Sequence, residues 1–355
     1  KVENYLLRND LGGACAEANS RDFALEELFW QQLLIYCQAL QGDAAGAAMG
    51  ANLLAETGEL KDPVFFALID QLTEGGAAAI DSLAGSSDTA RLDAELLMAH
   101  ALGCSRSAML LHHMGDPVPD AFAPLFARRL AYEPVAYITG SAEFYGLELK
   151  VTPAVLIPRG DSETLIDAAQ DHFAPGEPPQ RILDLGTGSG ALLLAALSQW
   201  PGAEGVALDA SMPALRVAQC NARKLGLAER ARFLRRSWRR DGWRRELGRF
   251  DLVLCNPPYV EDDASLDPCV REHEPGSALF AGPEGLDDYR ILLPQIAPLL
   301  TRDGIAIFEI GSTQHDAVAV LAQNQGLEST LRRDLSGHPR AMIMSQGVGK
   351  GKANR

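Results

Sequence analysis

From residue 181 onward the chain alternates short apolar runs with helical patterns, a rhythm that few architectures can accommodate. Residues 181–185, 205–209, 250–255 and 304–310 read as strands, and 191–199, 213–226 and 287–300 carry helical spacing between them. Strands joined through helices run parallel, and a parallel sheet must be covered on both faces. This half of the chain therefore reads as an α/β domain. Ligands of such sheets sit outside the carboxyl ends of the strands, so chemistry-bearing residues are sought there.

The earlier part of the chain has a different texture. Helical spacing recurs at 25–37, 64–72, 88–102 and 121–130, with glycine punctuation at Gly75, Gly76, Gly85 and Gly103. After Pro134, residues 137–157 mix β-formers with Gly140, Gly146 and Pro153, which reads as a short linking hairpin. Of the 32 basic and 47 acidic residues, 4 and 13 lie in residues 1–85 (net −9), leaving 28 and 34 (net −6) for the remainder. A net charge of −15 disfavours sequence-independent attraction to nucleic-acid phosphates. The longest apolar run, 191–197, is far short of the roughly 18 residues of a membrane span. Neither a secretion signal nor a lipidation pattern is read at the start. Cys15, Cys37, Cys104, Cys220, Cys255 and Cys269 form no close-spaced pair, so reduced thiols in a cytoplasmic protein are expected and no metal site is read.

Two segments carry the chemistry. The first, Asp184-Leu185-Gly186-Thr187-Gly188-Ser189-Gly190, stands where a strand gives way to a helix, and its glycines permit close approach of backbone to a ligand. Its spacing is that of neither a dinucleotide loop nor a triphosphate-binding loop, and no lysine follows. A tight strand-to-helix turn would use the same residues. Asp209 ends the next strand, where a carboxylate can accept both hydroxyls of a ribose or cap the helix that follows. Loop and acid together point to a nucleoside-bearing cofactor. The second segment is Asn256-Pro257-Pro258-Tyr259, directly after the strand at 250–255. Paired prolines fix the turn and remove two N–H donors, Asn256 adds a side-chain carbonyl, and Tyr259 adds a flat face. Such a site can accept both hydrogens of a planar amino group.

The pair of motifs resembles an S-adenosylmethionine-dependent methyltransferase acting on an amino group. Surrounding residues narrow the resemblance: E-P-V-A-Y-I-T-G at 133–140, E-F-Y-G at 143–146, L-I-P-R at 156–159, D-S-E at 161–163, F-E-I-G at 308–311 and D-L-S-G at 334–337. Together they resemble the release factor glutamine methyltransferase family (PrmC, also called HemK), over roughly residues 76–346. The resemblance implies a Rossmann-like seven-stranded catalytic domain with one antiparallel strand at 159–346, a helical substrate-recognition domain at 76–134 and a linking hairpin at 135–158. Residues 1–75 remain an acidic helical segment of no assigned role, and 347–355 a disordered tail.

By the same resemblance, Asp184, Gly186, Thr187, Gly188, Gly190, Asp209 and Trp238 bind the cofactor together with Asn256. Asn256, Pro257, Pro258, Tyr259 and Phe144 meet the substrate, with Asn256, Pro257 and Tyr259 catalytic. The implied partners are class I peptide-chain release factors, methylated on the glutamine of their Gly-Gly-Gln loop. Two positions depart from the family pattern: Ser237 stands where an Asp usually precedes the tryptophan, which alters the adenine contact, and Gly160 where a proline would stiffen the turn. Two other readings compete, an N6-adenine methyltransferase on DNA or RNA and a non-catalytic binding module using the acidic segment as an adapter. Eight arginines between Glu229 and Gly248, interleaved with Trp238 and Trp243, offer a surface for RNA or an acidic protein, or simply a solvated face. Cys255 reads as a core cysteine, and His112 and His113 as surface or loop residues.

Overall fold

A computed structural model describes residues 89–347 apart from 114, 115, 117, 174 and 175. The helices expected at 25–37 and 64–72, the acidic segment 1–75 and the tail beyond 347 lie outside the described residues. Two units divide the chain, one ending at Thr139 and the other starting at Gly140. Among the described residues no helix is long and apolar enough to cross a membrane.

In the first unit, α1 (Ala90–Leu102), α2 (Arg106–His112), α3 (Phe122–Leu130) and α4 (Val135–Thr139) follow one another. Gly103 closes α1 in the left-handed conformation at φ 69°, and the Ser105 hydroxyl caps α2 by accepting the Ala108 N–H at 3.1 Å. Leu97, Phe122 and Ile138 form a buried cluster, and Arg129 Nε donates to Asp93 Oδ2 at 2.7 Å between α3 and α1. The expected hairpin at 135–158 thus begins as helix. Pro134 presets the first turn, its carbonyl accepts the Tyr137 N–H at 2.9 Å, and the Thr139 hydroxyl folds back onto the Val135 carbonyl. Local capping overrides the β-formers here.

In the second unit the hairpin is β1 (Ser141–Phe144) with β2 (Leu147–Lys150), joined through Tyr145 and Gly146 at positive φ. After α5 (Glu163–His172) come β3 (Arg181–Leu185), α6 (Ala191–Gln199), β4 (Glu204–Asp209), α7 (Met212–Lys224), β5 (Ala231–Arg235) and β6 (Phe250–Cys255). Then follow α8 (Pro268–His273), α9 (Asp287–Leu292), β7 (Leu300–Glu309), α10 (His315–Gln323), β8 (Leu327–Arg333) and β9 (Pro339–Gln346). The seven strands are ordered β5-β4-β3-β6-β7-β9-β8, with β9 antiparallel to both neighbours. The helix expected over 287–300 stops at Leu292 and continues as two 3-10 turns, because Pro294 and Pro298 bring no N–H to the ladder.

Alternation along the strands sorts side chains into two layers. Ile182, Leu252, Leu254 and Ile307 pack with Leu165, Leu193 and Leu197 of α5 and α6. Leu183, Val253, Ala306 and Phe308 pack with Tyr289, Leu292 and Val318 of α9 and α10. Each layer buries continuous apolar surface, at about 25 cal/mol per Å². Since β3 leads outward to β4 and β5 before the chain returns to β6 on its other side, strand order reverses between β3 and β6. A crevice opens at their carboxyl ends.

Asn221 of α7, fully buried, ties three segments beside that crevice. Its Oδ1 accepts the Lys150 N–H at 2.7 Å, and its Nδ2 donates to the carbonyls of Lys150 at 3.0 Å and Ser189 at 2.9 Å. Asn221→Leu would orphan all three backbone groups. We expect it to lower unfolding free energy by about 3 kcal/mol in urea titration, against less than about 0.5 kcal/mol for an exposed control such as Arg223→Gln.

Candidate active site

The loop after β3 is held open by three glycines in left-handed backbone, Gly186 at φ 75°, Gly188 at 54° and Gly190 at 87°. The Gly186 and Thr187 N–H groups both donate to the Leu208 carbonyl at 2.9 Å, which pins the loop to β4. A Cβ on Gly186 would stand 3.1 Å from Trp238 Cη2, so the Trp238 ring lies close over the glycine backbone. A Cβ on Gly190 would meet Leu194 and Ala218 at 3.1 and 3.2 Å, so this glycine serves close packing of α6 on α7.

These groups border a cavity of about 340 Å³. Of the residues singled out from sequence, Gly186, Thr187, Gly188, Asp209, Trp238, Asn256, Pro258 and Phe144 line it. Asp184, Gly190, Pro257 and Tyr259 are not among its lining residues. Asp184 is buried at the end of β3 and takes the Thr187 hydroxyl on Oδ2 at 2.5 Å, while its buried Oδ1 has no hydrogen-bond partner. Burial pushes its carboxyl up to about 7, against the opposing effect of the Thr187 bond.

Asp209 accepts the Gly188 N–H on Oδ2 at 2.9 Å and the Ser211 N–H on Oδ1 at 2.8 Å. The helix-capping reading of Asp209 is corrected: Ser211 caps α7, its hydroxyl accepting the Ala214 N–H. Each Asp209 oxygen keeps a further lone pair, so the carboxylate can still accept from a ligand diol. Burial raises its pKa.

Sequence reasoning missed the partner of Trp238. Its indole N–H donates to Asp288 Oδ1 at 2.6 Å, and Arg239 Nη2 holds Asp288 Oδ2 at 2.8 Å. Asp288 is fully buried and lines the cavity, as does Ser237, so a carboxylate from α9 stands close to where the family's pattern would place one on the preceding residue. No periodic signal links positions 50 residues apart.

On the β6 side, Asn256 Nδ2 donates to Ser162 Oγ at 3.3 Å, Ser162 donates to Glu309 Oε2 at 2.5 Å, and the Tyr259 hydroxyl donates to Glu309 Oε1 at 3.1 Å. With Nδ2 engaged, the group Asn256 has left for a ligand is its side-chain carbonyl. Tyr259 also rests its ring on the β6–β7 core layer, and Gln314 Nε2 donates to its backbone carbonyl at 2.9 Å. Burial raises both the Tyr259 phenol and the Glu309 carboxyl, the latter opposed by the Ser162 hydroxyl and the Arg340 guanidinium. The turn expected to loosen at Gly160 is formed, as a 3-10 turn over Gly160–Ser162 that delivers Ser162 to this cluster.

The arginine-rich stretch is not one surface. Arg230 donates to the carbonyls of Leu197, Trp200 and Ala203 behind α6, Arg235 to Ala210, and Arg239 pairs with Asp288. Trp243 is 3% exposed and bonds Gln295, so neither tryptophan is offered outward as a stacking platform. Arg240, Arg244 and Arg245 are exposed. Cys255 is fully buried, with its thiol pushed up by burial.

Asp184 makes the site's charge state testable. An acid whose pKa rises on folding binds its proton more tightly in the native state, so stability present at low pH is lost as pH climbs from about 4 toward 7. Asp209 and Glu309 act in the same direction. Asp184→Asn, which keeps an acceptor for Thr187, should flatten that decline, by up to about 1.4 kcal/mol per pH unit in urea titrations run across the range. An unchanged slope would mean that Asp184 ionises normally.

Comparison with known proteins fits this geometry. The family described as PrmC N-terminal domain matches residues 77–140, and the family described as Methyltransferase small domain matches residues 162–272. The chain is 39% identical over 264 residues to the release factor glutamine methyltransferase of Bradyrhizobium diazoefficiens, covering 72% of this chain and 88% of that protein. It is 41% identical to the protein of that name from Rhodospirillum rubrum, covering 71% and 78%, and 43% identical to that of Moorella thermoacetica, covering 68% and 86%. With sequence likeness of this extent over most of each relative, and both motif loops placed at the strand-order reversal, the chain belongs to the release factor glutamine methyltransferase family.

Proposed function

We propose that the protein transfers the methyl group of S-adenosylmethionine to the side-chain amide nitrogen of the glutamine in the Gly-Gly-Gln loop of class I peptide-chain release factors. One observation carries the reading: Asn256, its amino end engaged by Ser162, lines the same cavity as the Gly-rich loop, with its backbone oxygen 3.9 Å from where a Gly186 Cβ would stand. An acceptor for amide hydrogens and a cradle for a cofactor thus adjoin.

The residues present fit that cofactor. Left-handed glycines leave a cradle that a side chain would fill, Asp209 has acceptor capacity for a diol, and the Trp238 ring offers a flat face. When bound, S-adenosylmethionine supplies a methyl group on a sulfonium, a strong electrophile.

A glutamine amide nitrogen is a poor nucleophile because its lone pair is delocalised, so the protein's task is orientation. The Asn256 side-chain oxygen and the Pro257 carbonyl accept the two amide hydrogens and stabilise the positive charge that grows on nitrogen. Phe144 and Pro258 close the apolar wall around that amide, and the Tyr259 ring stiffens the turn. No side chain need act as base, since the methylated nitrogen is acidic enough to give its proton to water. Neither oxygen of this acceptor pair belongs to a titratable group, so both stay uncharged through neutral pH.

Calorimetry with S-adenosylmethionine followed by label transfer to a release factor tests the proposal, with a release factor lacking the Gly-Gly-Gln glutamine as control. Asn256→Ala should bind the cofactor within about threefold of wild type and lose transfer by about a hundredfold or more. Transfer at the wild-type rate would remove Asn256 from the chemistry, and label appearing on DNA or RNA but not on release factor would favour the adenine reading.

A further inference from the structure

The motif residues Ser162 and Glu309 line up behind Asn256 and Tyr259, and their hydrogen-bond directions are determined by chemistry. Glu309 ends β7 with its carboxylate 1% exposed, and as an ion it can only accept. Both of its oxygens are taken by hydroxyls, Ser162 on one and Tyr259 on the other. The single Ser162 proton is therefore committed to Glu309, and towards Asn256 the Ser162 oxygen has only lone pairs to offer. Only the amino end of Asn256 can face it, at 3.3 Å. With the amide reversed, two oxygens would meet with no hydrogen between them, in a buried setting where an unmade bond is expensive.

We propose that Glu309 and Ser162 are positioning residues that lock the Asn256 amide with its carbonyl toward the methyl acceptor, while Glu309 also fixes the Tyr259 ring through its hydroxyl. The inference rests on the methyl-transfer reading above for its rate consequences, but the lock itself is a property of the unliganded protein. Segments more than 140 residues apart, the D-S-E turn and the end of β7, converge on it. A Glu309→Gln substitution keeps an acceptor for only one of the two hydroxyls. With its amino end toward Ser162, Ser162 accepts from it and sends its own proton to Asn256, which favours the reversed amide; with that end toward Tyr259, the phenol loses its acceptor instead. A Ser162→Thr substitution keeps the hydroxyl.

The test combines kinetics with a direct view of the amide. Glu309→Gln should lower kcat for methyl transfer about tenfold or more, with KM for release factor and cofactor affinity within about threefold. Ser162→Ala should lower kcat about tenfold or more, and Ser162→Thr should restore it to near wild type. In an Asn256→Ala background Ser162→Ala should cause no further loss, because its effect passes through Asn256. In nitrogen-15 spectra, the Asn256 side-chain amide, assigned by its loss in Asn256→Ala, should exchange slowly with water in wild type and faster in Ser162→Ala. Wild-type kcat in both Ser162→Ala and Glu309→Gln, losses that multiply with Asn256→Ala, or amide exchange indifferent to Ser162 would each overturn the inference. Should Glu309→Gln fail to fold, the Ser162 variants decide alone. Should wild type transfer no methyl group to release factor, the functional reading falls, and amide exchange still decides whether the lock exists.

Discussion

The reversal of strand order between β3 and β6 is the constraint on which the rest depends. Parallel strands all aim their carboxyl ends at one edge of the sheet, and connections on both sides of the reversal leave that edge uncovered. The loop after β3 and the turn after β6 are forced to be neighbours by pairing alone, Leu185 beside Cys255 in register. Two motifs far apart in sequence, one ending at Gly190 and the other opening at Asn256, need no dedicated device to meet. What the side chains then add is orientation.

That orientation is supplied largely by buried acids. Asp184, Asp288, Glu274 and Glu309 are all nearly inaccessible, and each holds a donor that positions something at the cavity wall: Thr187, Trp238, the Ile157 N–H and Ser162. Burying a carboxylate is costly unless hydrogen bonds repay it. Glu274 and Asp288 have arginine partners as well, Arg159 and Arg239, whereas Asp184 and Glu309 accept from hydroxyls.

The four parallel strands at the centre and the helices that follow β3 and β4 were legible because apolar runs such as 182–185 leave no other way to bury themselves, whereas the interior strand β9 and the helices α5 and α10 were not read. The edge strands were not: Ala231–Arg235 carries exposed arginines at two of five positions, and Leu327–Arg333 is mostly exposed, so neither shows a buried face to read. Motif residues at the site were legible from spacing and resemblance, but which of them reach the cavity was not. Tyr259 and Asp184 look like contact residues in sequence and are not among the lining residues, whereas Asp288, in a short acidic helix start, gives no sign of its link to Trp238. Such pairings depend on tertiary approach, for which periodicity carries no information.

The three bonds of Asn221 have a consequence for how this protein fluctuates. One side chain joins the hairpin strand at Lys150 to the loop backbone at Ser189, so neither segment can separate from α7 without abandoning the same amide. Hairpin and glycine loop are thereby a single opening unit, exposing their amide protons to solvent together. A ligand that steadies the loop also slows the breathing of a strand that it never touches.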